Sequence, residues 1–349
     1  MSIFNQSIYG WYHTNKRELP WRNTQDAYKI WISEIMLQQT RVAQTVVYFN
    51  RFITEFPTVF DLAAANEDKV LKLWQGLGYY TRARNLHLTA KIIAGKYGGV
   101  FPCEYKKIME LPGIGSYTAA AIASIAFHLP YAVVDGNVYR VLARYFGIQT
   151  PIDSQKGKSE FQLLATSVLA ENNPNIHNQA IMEFGALQCT PKTPDCYNCP
   201  IITTCVAAKS NLVNSLPVKS KKVKTVTRYF YYYIIVSDNF ILLQKRTEND
   251  IWKNLYQFPL LETPKEITDD EIIATQIPWL SQGTYNIKKV SQAKKHQLTH
   301  QTIFARFIEI EADQLPDSGI DFFKVHKKDI FTFAVPRLLE PVIKKIENT

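Results

Sequence analysis

The apolar pattern of this chain changes period once, and that change calls for two structural units. From residue 1 to about 210 the apolar residues recur at helical spacing, the breaks are short Pro or Gly turns, and few β-rich runs appear. "TVFDLAAANEDKVLKLWQGLG" and "GKSEFQLLATSVLAENN" are typical, the first closing on Gly76 and Gly78 as helix C-termini often do. "LPVKSKKVKTVTR", Leu216 to Arg228, then carries five basic residues, no acidic ones and no apolar period. It reads as a linker, either lying along a phosphate backbone or merely solvated. Beyond it "RYFYYYIIV" and "FILLQKR" flank the turn-forming Ser237-Asp238-Asn239, which predicts a β-hairpin, and runs such as "TIFARFIEI" alternate with short helical patches. The expected architecture is multidomain, with an all-α unit over residues 1–213, a basic linker over 214–228 and a smaller α+β unit over 229–349. A length of 349 residues suits more than one core.

Forty Lys and Arg against 31 Asp and Glu give a net charge of +9, which makes polyanions plausible partners. The N-terminal stretch has no basic segment followed by an apolar run, so no secretory signal is expected. The most apolar later stretch, Ser116 to Val134, is interrupted by His128 and Pro130 and suits a buried helix with a stop better than a membrane span. A soluble cytoplasmic protein is expected, associated with the nucleoid if the source is bacterial.

Four of the five cysteines form the cluster Cys189-x6-Cys196-x2-Cys199-x5-Cys205. In a cytoplasmic chain such clustering favours a metal site over disulfides. Zinc sites more often use two separated Cys-x-x-Cys pairs, whereas iron–sulfur clusters accept uneven short loops, so [4Fe–4S] is favoured over zinc. Cys103, far away in sequence, is expected to be structural.

"LPGIGSYTAAAIASIAF" opens a Pro-Gly-x-Gly turn directly into an Ala-rich helix. Gly113 and Gly115 permit a sharp turn, and the free N–H groups at the helix start can hold a phosphate, the logic of a helix-hairpin-helix that grips DNA backbone without reading sequence. By itself the turn equally suits an ordinary corner in a bundle. Twenty residues after Gly115, Asp135 follows an apolar run and precedes a helix in "YAVVDGNVYRVLARYFG". It is an N-cap by position, and a carboxylate there also suits stabilising a cation. Glu34, in "WISEIMLQQT", interrupts an apolar stretch; periodicity alone places it with Gln38, Arg41 and Thr45 on the polar face of an amphipathic helix.

Together these elements resemble the helix-hairpin-helix superfamily of DNA glycosylases, in its iron–sulfur branch, over essentially the first 210 residues. "SEIMLQQTRV", "GLGYYTRARNL" and "VVDGNVYRV" match the catalytic-glutamate, DNA-wedge and aspartate segments of the MutY-type adenine DNA glycosylases. Endonuclease III relatives place a Schiff-base lysine where Tyr117 stands here, so the resemblance implies a water-using glycosylase with little lyase activity. "ILLQKRTENDIWKNLYQFP" looks like the first part of a Nudix domain, but "LLETPKEITDDEIIATQI" lacks the glycines and Arg-Glu pair of a working hydrolase. A lesion-binding rather than hydrolytic role is implied for it. In "KHQLTHQT", Leu298, Thr299 and His300 stand where the family has a Phe-Ser-His loop that contacts 8-oxoguanine. Thr299 keeps a hydroxyl, while Leu298 replaces the phenylalanine.

The resemblance assigns roles by position. Glu34 is the acid that protonates adenine N7 before the C–N bond breaks, and Asp135 stabilises the oxocarbenium ion that follows. Tyr117 and Asn137 support them, and Trp21, Arg22 and Leu37 wall the pocket for the extruded adenine. Gln39, Thr40, Leu77 and Tyr79 fill the vacated stack and contact the opposite base, while Gly113 and Gly115 hold the backbone. Cys189, Cys196, Cys199 and Cys205 hold a [4Fe–4S] cluster. The implied partner of this expected monomer is double-stranded DNA containing A·8-oxoguanine or A·G mispairs. Rival expectations are an iron–sulfur glycosylase for thymine or other pyrimidines, and a non-catalytic DNA-damage binding protein.

Overall fold

The computed structural model describes residues 2–220, 225–274, 280, 285–315 and 322–347. Residues 221–224 of the expected basic linker lie outside them. The described residues fall into two compact units, Met1–Ala64 with Asn85–Lys221, and Ala65–Arg84 with Lys222–Thr349.

The first 210 residues are helical: α1 (Ile3–Asn15), α2 (Ala27–Leu37), α3 (Val42–Glu55), α4 (Val59–Ala64), α5 (Glu67–Trp74), α6 (Thr81–Lys96), α7 (Tyr105–Met109), α8 (Ser116–Phe127), α9 (Gly136–Phe146), α10 (Gln155–Val168), α11 (Pro174–Leu187) and α12 (Val206–Lys209). In the first unit α8 is the hub. Its alanines present so little bulk that α2 and α11 both pack on it, and Thr118 to Ala126 are all buried. It ends at His128 in the left-handed conformation, two residues before Pro130. α9 runs against α11 and carries two buried arginines, Arg140 and Arg144, whose guanidiniums are satisfied by carbonyl oxygens. No described helix is long and apolar enough to cross a membrane.

The segment expected to be a linker is partly structured. Ile152 N–H donates to the Val218 carbonyl at 3.0 Å, and Ser220 N–H donates to Asp153 at 3.0 Å. At its far end the first strand begins at Val226.

The second unit is built on a mixed sheet of β1 (Val226–Ser237), β2 (Phe240–Lys245), β3 (Tyr256–Gln257), β4 (Leu260–Thr263), β5 (Tyr285–Val290), β6 (Lys294–Gln297), β7 (Gln301–Ala312) and β8 (Phe322–His326). β1 and β2 form the antiparallel hairpin, with Ser237 opposite Phe240 and Asp238 at φ 49° in the turn. β1 then pairs in parallel with β7, from Val226 opposite Gln301 to Val236 opposite Glu311. Successive residues of β1 alternate faces. Phe230, Tyr232 and Ile234 pack under Leu338, Leu339 and Ile343 near the C-terminus, whereas Tyr231, Tyr233 and Ile235 pack with Ile272 of α13 (Asp269–Ala274). A strand buried on both faces reads as one continuous apolar run, which is why "RYFYYYIIV" shows no polar alternation.

Candidate active site

A cleft of about 760 Å³ in the helical unit gathers side chains from five stretches of sequence. α2 contributes Glu34 and Leu37, the turn after it Gln39 and Thr40, the hairpin and α8 supply Gly113, Gly115 and Tyr117, and the start of α9 supplies Asp135 and Asn137. Trp21 and Arg22, with Met182 and Glu183 of α11, complete the wall. All of the expected catalytic, adenine-pocket and hairpin residues therefore share one concavity, as do the turn residues Gln39 and Thr40.

Glu34 is only 5% exposed. The polar helical face that periodicity proposed does not exist, because α2 stops at Leu37 and a new helix begins at Val42. Gln38 turns to donate to Thr118 Oγ1 at 3.2 Å, and Thr45 is buried in α3. Enclosed in the interior with α2, the Glu34 carboxyl is pushed up to about 7, chiefly by burial. The Tyr117 hydroxyl, donating to Oε2 at 2.8 Å, and the Arg22 charge pull the other way, while Asp135 adds to the rise. A shift of that size disfavours the charged form by roughly 3 kcal/mol. The group thus holds a transferable proton near neutral pH.

Asp135 caps α9. Its Oδ1 accepts from the Asn137 and Val138 N–H groups at 2.9 and 2.8 Å, and its Oδ2 accepts from Asn137 Nδ2 at 2.8 Å. Burial pushes this carboxyl above its ordinary range against those three donors and the Arg140 charge, all of which favour the anion. Asn137 in turn accepts from Arg140 at 2.8 Å, so the carboxamide is fixed from both sides. A carboxylate held this way cannot swing, and its negative charge faces the same cleft as the Glu34 proton.

One cleft residue carried no sequence signal. Glu183 of α11 is 1% exposed and takes five hydrogen bonds from Arg17 and Arg22, between 2.6 and 2.9 Å. Burial acts to raise it, but the two guanidiniums prevail and hold it at about 2. Only the pairing with Arg17 and Arg22, more than 160 positions away, marks it out. Met182 beside it accepts from the Tyr117 hydroxyl at 3.4 Å.

Gln39 lies at φ 58° with its side chain exposed. A non-glycine residue in that left-handed region is uncommon and marks a constrained turn. Leu77 and Tyr79, expected to fill the stack with Gln39 and Thr40, belong to the second unit. Tyr79 is 44% exposed at φ 48° and its hydroxyl hydrogen-bonds with Thr299 Oγ1, while Leu77 is 7% exposed and faces inward. Thr299 and His300 are exposed at the turn between β6 and β7, and Leu298 packs against the core of the sheet.

The four cysteines line one small void of about 30 Å³. Arg144 of α9 donates to Cys189 Sγ at 3.3 Å and to the Thr190 and Pro191 carbonyls, and Arg140 donates to the Cys189 carbonyl at 2.7 Å. Among the described residues no three His, Cys, Asp or Glu side chains converge on a single-ion site. Four thiols around one void are a donor set of the kind that metal centres take.

Comparison with known proteins places these features in a family context. The model of the HhH-GPD superfamily of base excision DNA repair proteins matches residues 32–166, and that of the NUDIX domain matches residues 230–345. The chain is 39% identical over 305 residues to the adenine DNA glycosylase of Buchnera aphidicola subsp. Schizaphis graminum, covering 86% of this chain and 85% of that one. It is 36% identical over 352 residues to the adenine DNA glycosylase of Buchnera aphidicola subsp. Acyrthosiphon pisum, covering 99% and 97%. The solved structure of a thermostable thymine-DNA glycosylase superposes with a TM-score of 0.56 at 30% identity, covering 60% of this chain and 96% of that chain.

Proposed function

The chain belongs to the adenine DNA glycosylases, enzymes of base excision repair that cleave N-glycosidic bonds, and from that membership we propose that it excises adenine mispaired with 8-oxoguanine or guanine in duplex DNA, by hydrolysis and with little lyase activity. The observation that carries the mechanism is the buried Glu34 carboxyl, raised to about 7 and facing Asp135 across one cleft.

Adenine is a poor leaving group as an anion. Extruded into the cleft between Trp21, Arg22 and Leu37, it receives the Glu34 proton at N7 as the C–N bond lengthens. Positive charge then develops on the sugar, and the Asp135 carboxylate, already fixed by its three donors, attracts it without reorganising. Glu34, now ionised and steadied by Tyr117, takes a proton from the attacking water. Tyr117 is a phenol buried beside two carboxyls, which pushes its pKa well up, and it offers no amine for a Schiff base. Gly113 and Gly115 lie against the DNA backbone, and Gln39, Thr40, Leu77 and Tyr79 occupy the vacated stack. Thr299 and His300 read the opposite base, consistent with the pairing of Thr299 and Tyr79. The boundaries of this reading are a glycosylase domain over 1–213, a linker over 214–228 and a lesion-recognition domain over 229–349 of a monomeric protein.

Cys189, Cys196, Cys199 and Cys205 would hold a [4Fe–4S] cluster. When bound, it supplies a rigid cross-link of the loop and a centre able to change oxidation state. Arg140 and Arg144 grip that loop from the helix that Asp135 caps, so the loop and the carboxylate are fixed to the same element.

The test compares duplexes carrying A opposite 8-oxoguanine, A opposite guanine and T opposite guanine. Adenine is released from the first two, with strand breaks appearing only after alkali, and Glu34→Gln binds the same mispairs without releasing base. Preferential release of thymine would overturn the substrate assignment, and an unimpaired Glu34→Gln would overturn the role of the acid.

A further inference from the structure

The segment Ala65–Arg84 falls inside the stretch matched by the helical repair family, yet it folds into the compact unit of Lys222–Thr349. Its polar side chains account for this. At the start of α5, Asp68 accepts from Lys245 Nζ of β2 at 2.8 Å and from the Tyr256 hydroxyl of β3 at 2.7 Å. At the helix end, Gln75 accepts from the Val335 N–H at 3.3 Å and donates to Glu340 at 3.0 Å, while Lys72 Nζ reaches the Phe333 carbonyl at 3.0 Å. Between its two ends α5 is thus tied to the sheet and to the C-terminal segment of the unit.

The loop that follows is conformationally demanding. Gly76, Gly78 and Tyr79 all have positive φ, at 99°, 73° and 48°. For a tyrosine that region costs on the order of 1–2 kcal/mol, so it persists only where the surroundings impose it. Arg82 closes the loop from within, its guanidinium over the rings of Trp74 and Tyr79 at 5.3 and 5.7 Å, donating to the Gly78 carbonyl at 3.2 Å. The result is that the Tyr79 hydroxyl meets Thr299, a residue 220 positions later.

We propose that the wedge loop and the Thr299 turn are one opposite-base-reading device carried by the C-terminal unit, and that Asp68 and Gln75 are the positioning residues that set Tyr79 beside Thr299. The proposal rests on the reading of Tyr79 and Thr299 as contacts to the base opposite adenine. It assigns discrimination of that base in part to residues that act through the position of Tyr79, since releasing α5 lets Tyr79 relax from its strained conformation and part from Thr299.

The test uses the full chain and compares Gln75→Ala with Asp68→Ala, Asp68→Asn and Tyr79→Ala. The readouts are single-turnover adenine release and dissociation constants for A·8-oxoguanine and A·G duplexes, and the pH profile of the rate. Gln75→Ala and Asp68→Ala each reproduce the loss of discrimination expected of Tyr79→Ala, by about tenfold for the loss of a charge-assisted or partly buried hydrogen bond. The pH midpoint, set by Glu34, stays where it is. Asp68→Asn, which keeps an acceptor for the Tyr256 hydroxyl, retains most of the discrimination. If the alanine variants fail to fold, Tyr256→Phe removes the hydroxyl that donates to Asp68 and Glu340→Ala removes the acceptor of Gln75, and each lowers discrimination in the same direction. Full discrimination in the positioning variants alongside an impaired Tyr79→Ala overturns the proposal and leaves the wedge reading standing. An unimpaired Tyr79→Ala removes the wedge reading itself, and the proposal with it.

Discussion

At Glu34 the ionisation equilibrium is a contest between burial and neighbours, and one neighbour can be removed cleanly. The Tyr117 hydroxyl donates to the carboxylate and so favours the charged form, holding the acid below where burial alone would leave it. Excision that needs protonated Glu34 declines as pH rises through a value near 7. Tyr117→Phe takes away the donor, raises that value and moves the alkaline limb of the single-turnover rate to higher pH. A limb that stays put or moves towards acid would show that the phenol does not act through Glu34. Sequence could single out Glu34 as a misfit in an apolar run and match it to a motif, but not say that it is buried. Its periodicity implied a wet face shared with Gln38, Arg41 and Thr45, because spacing assumes an unbroken helix and α2 in fact ends at Leu37. Glu183 is the converse case, a carboxyl with no motif, whose ionisation depends on two distant arginines.

Among the elements, α9 joins structure to the proposed chemistry most directly, since the residue that caps it is also the one proposed to meet the sugar cation. The two tasks separate under substitution. Asp135→Asn keeps an oxygen for the Asn137 and Val138 N–H groups and loses the charge, so thermal stability is nearly unchanged while adenine release collapses. Asp135→Ala loses the cap as well and costs about 1 kcal/mol in addition. Equal melting temperatures for the two variants would mean that the cap contributes nothing to stability. Helix identity along this half was legible because the 3.6-residue period, the Gly and Pro stops and the N-cap residues are local signals. The helix boundaries in "TVFDLAAANEDKVLKLWQGLG" were less so: the run divides into α4 and α5 at Asn66, which caps α5 by accepting from the Asp68 N–H.

At the scale of the whole molecule, the cysteine loop and the C-terminal sheet are the two additions to a helical glycosylase core. If the loop holds [4Fe–4S], protein purified without oxygen contains about four irons and four acid-labile sulfides per chain. Replacing Cys199 by Ser lowers both together and destabilises the loop that Arg140 and Arg144 grip. Zinc in place of iron, with no labile sulfide, would overturn that content. The sequence by itself determined the change from helix to sheet, the cysteine cluster, the Gly-x-Gly hairpin and the cap at Asp135, because each is written in neighbouring residues. Only the tertiary structure decided that Glu34 is desolvated, that Glu183 sits between two arginines, and that residues 65–84 fold with the C-terminal unit. The physical reason is that burial and charge pairing depend on which distant segments pack together, and no local pattern of residues encodes the dielectric around a single carboxyl.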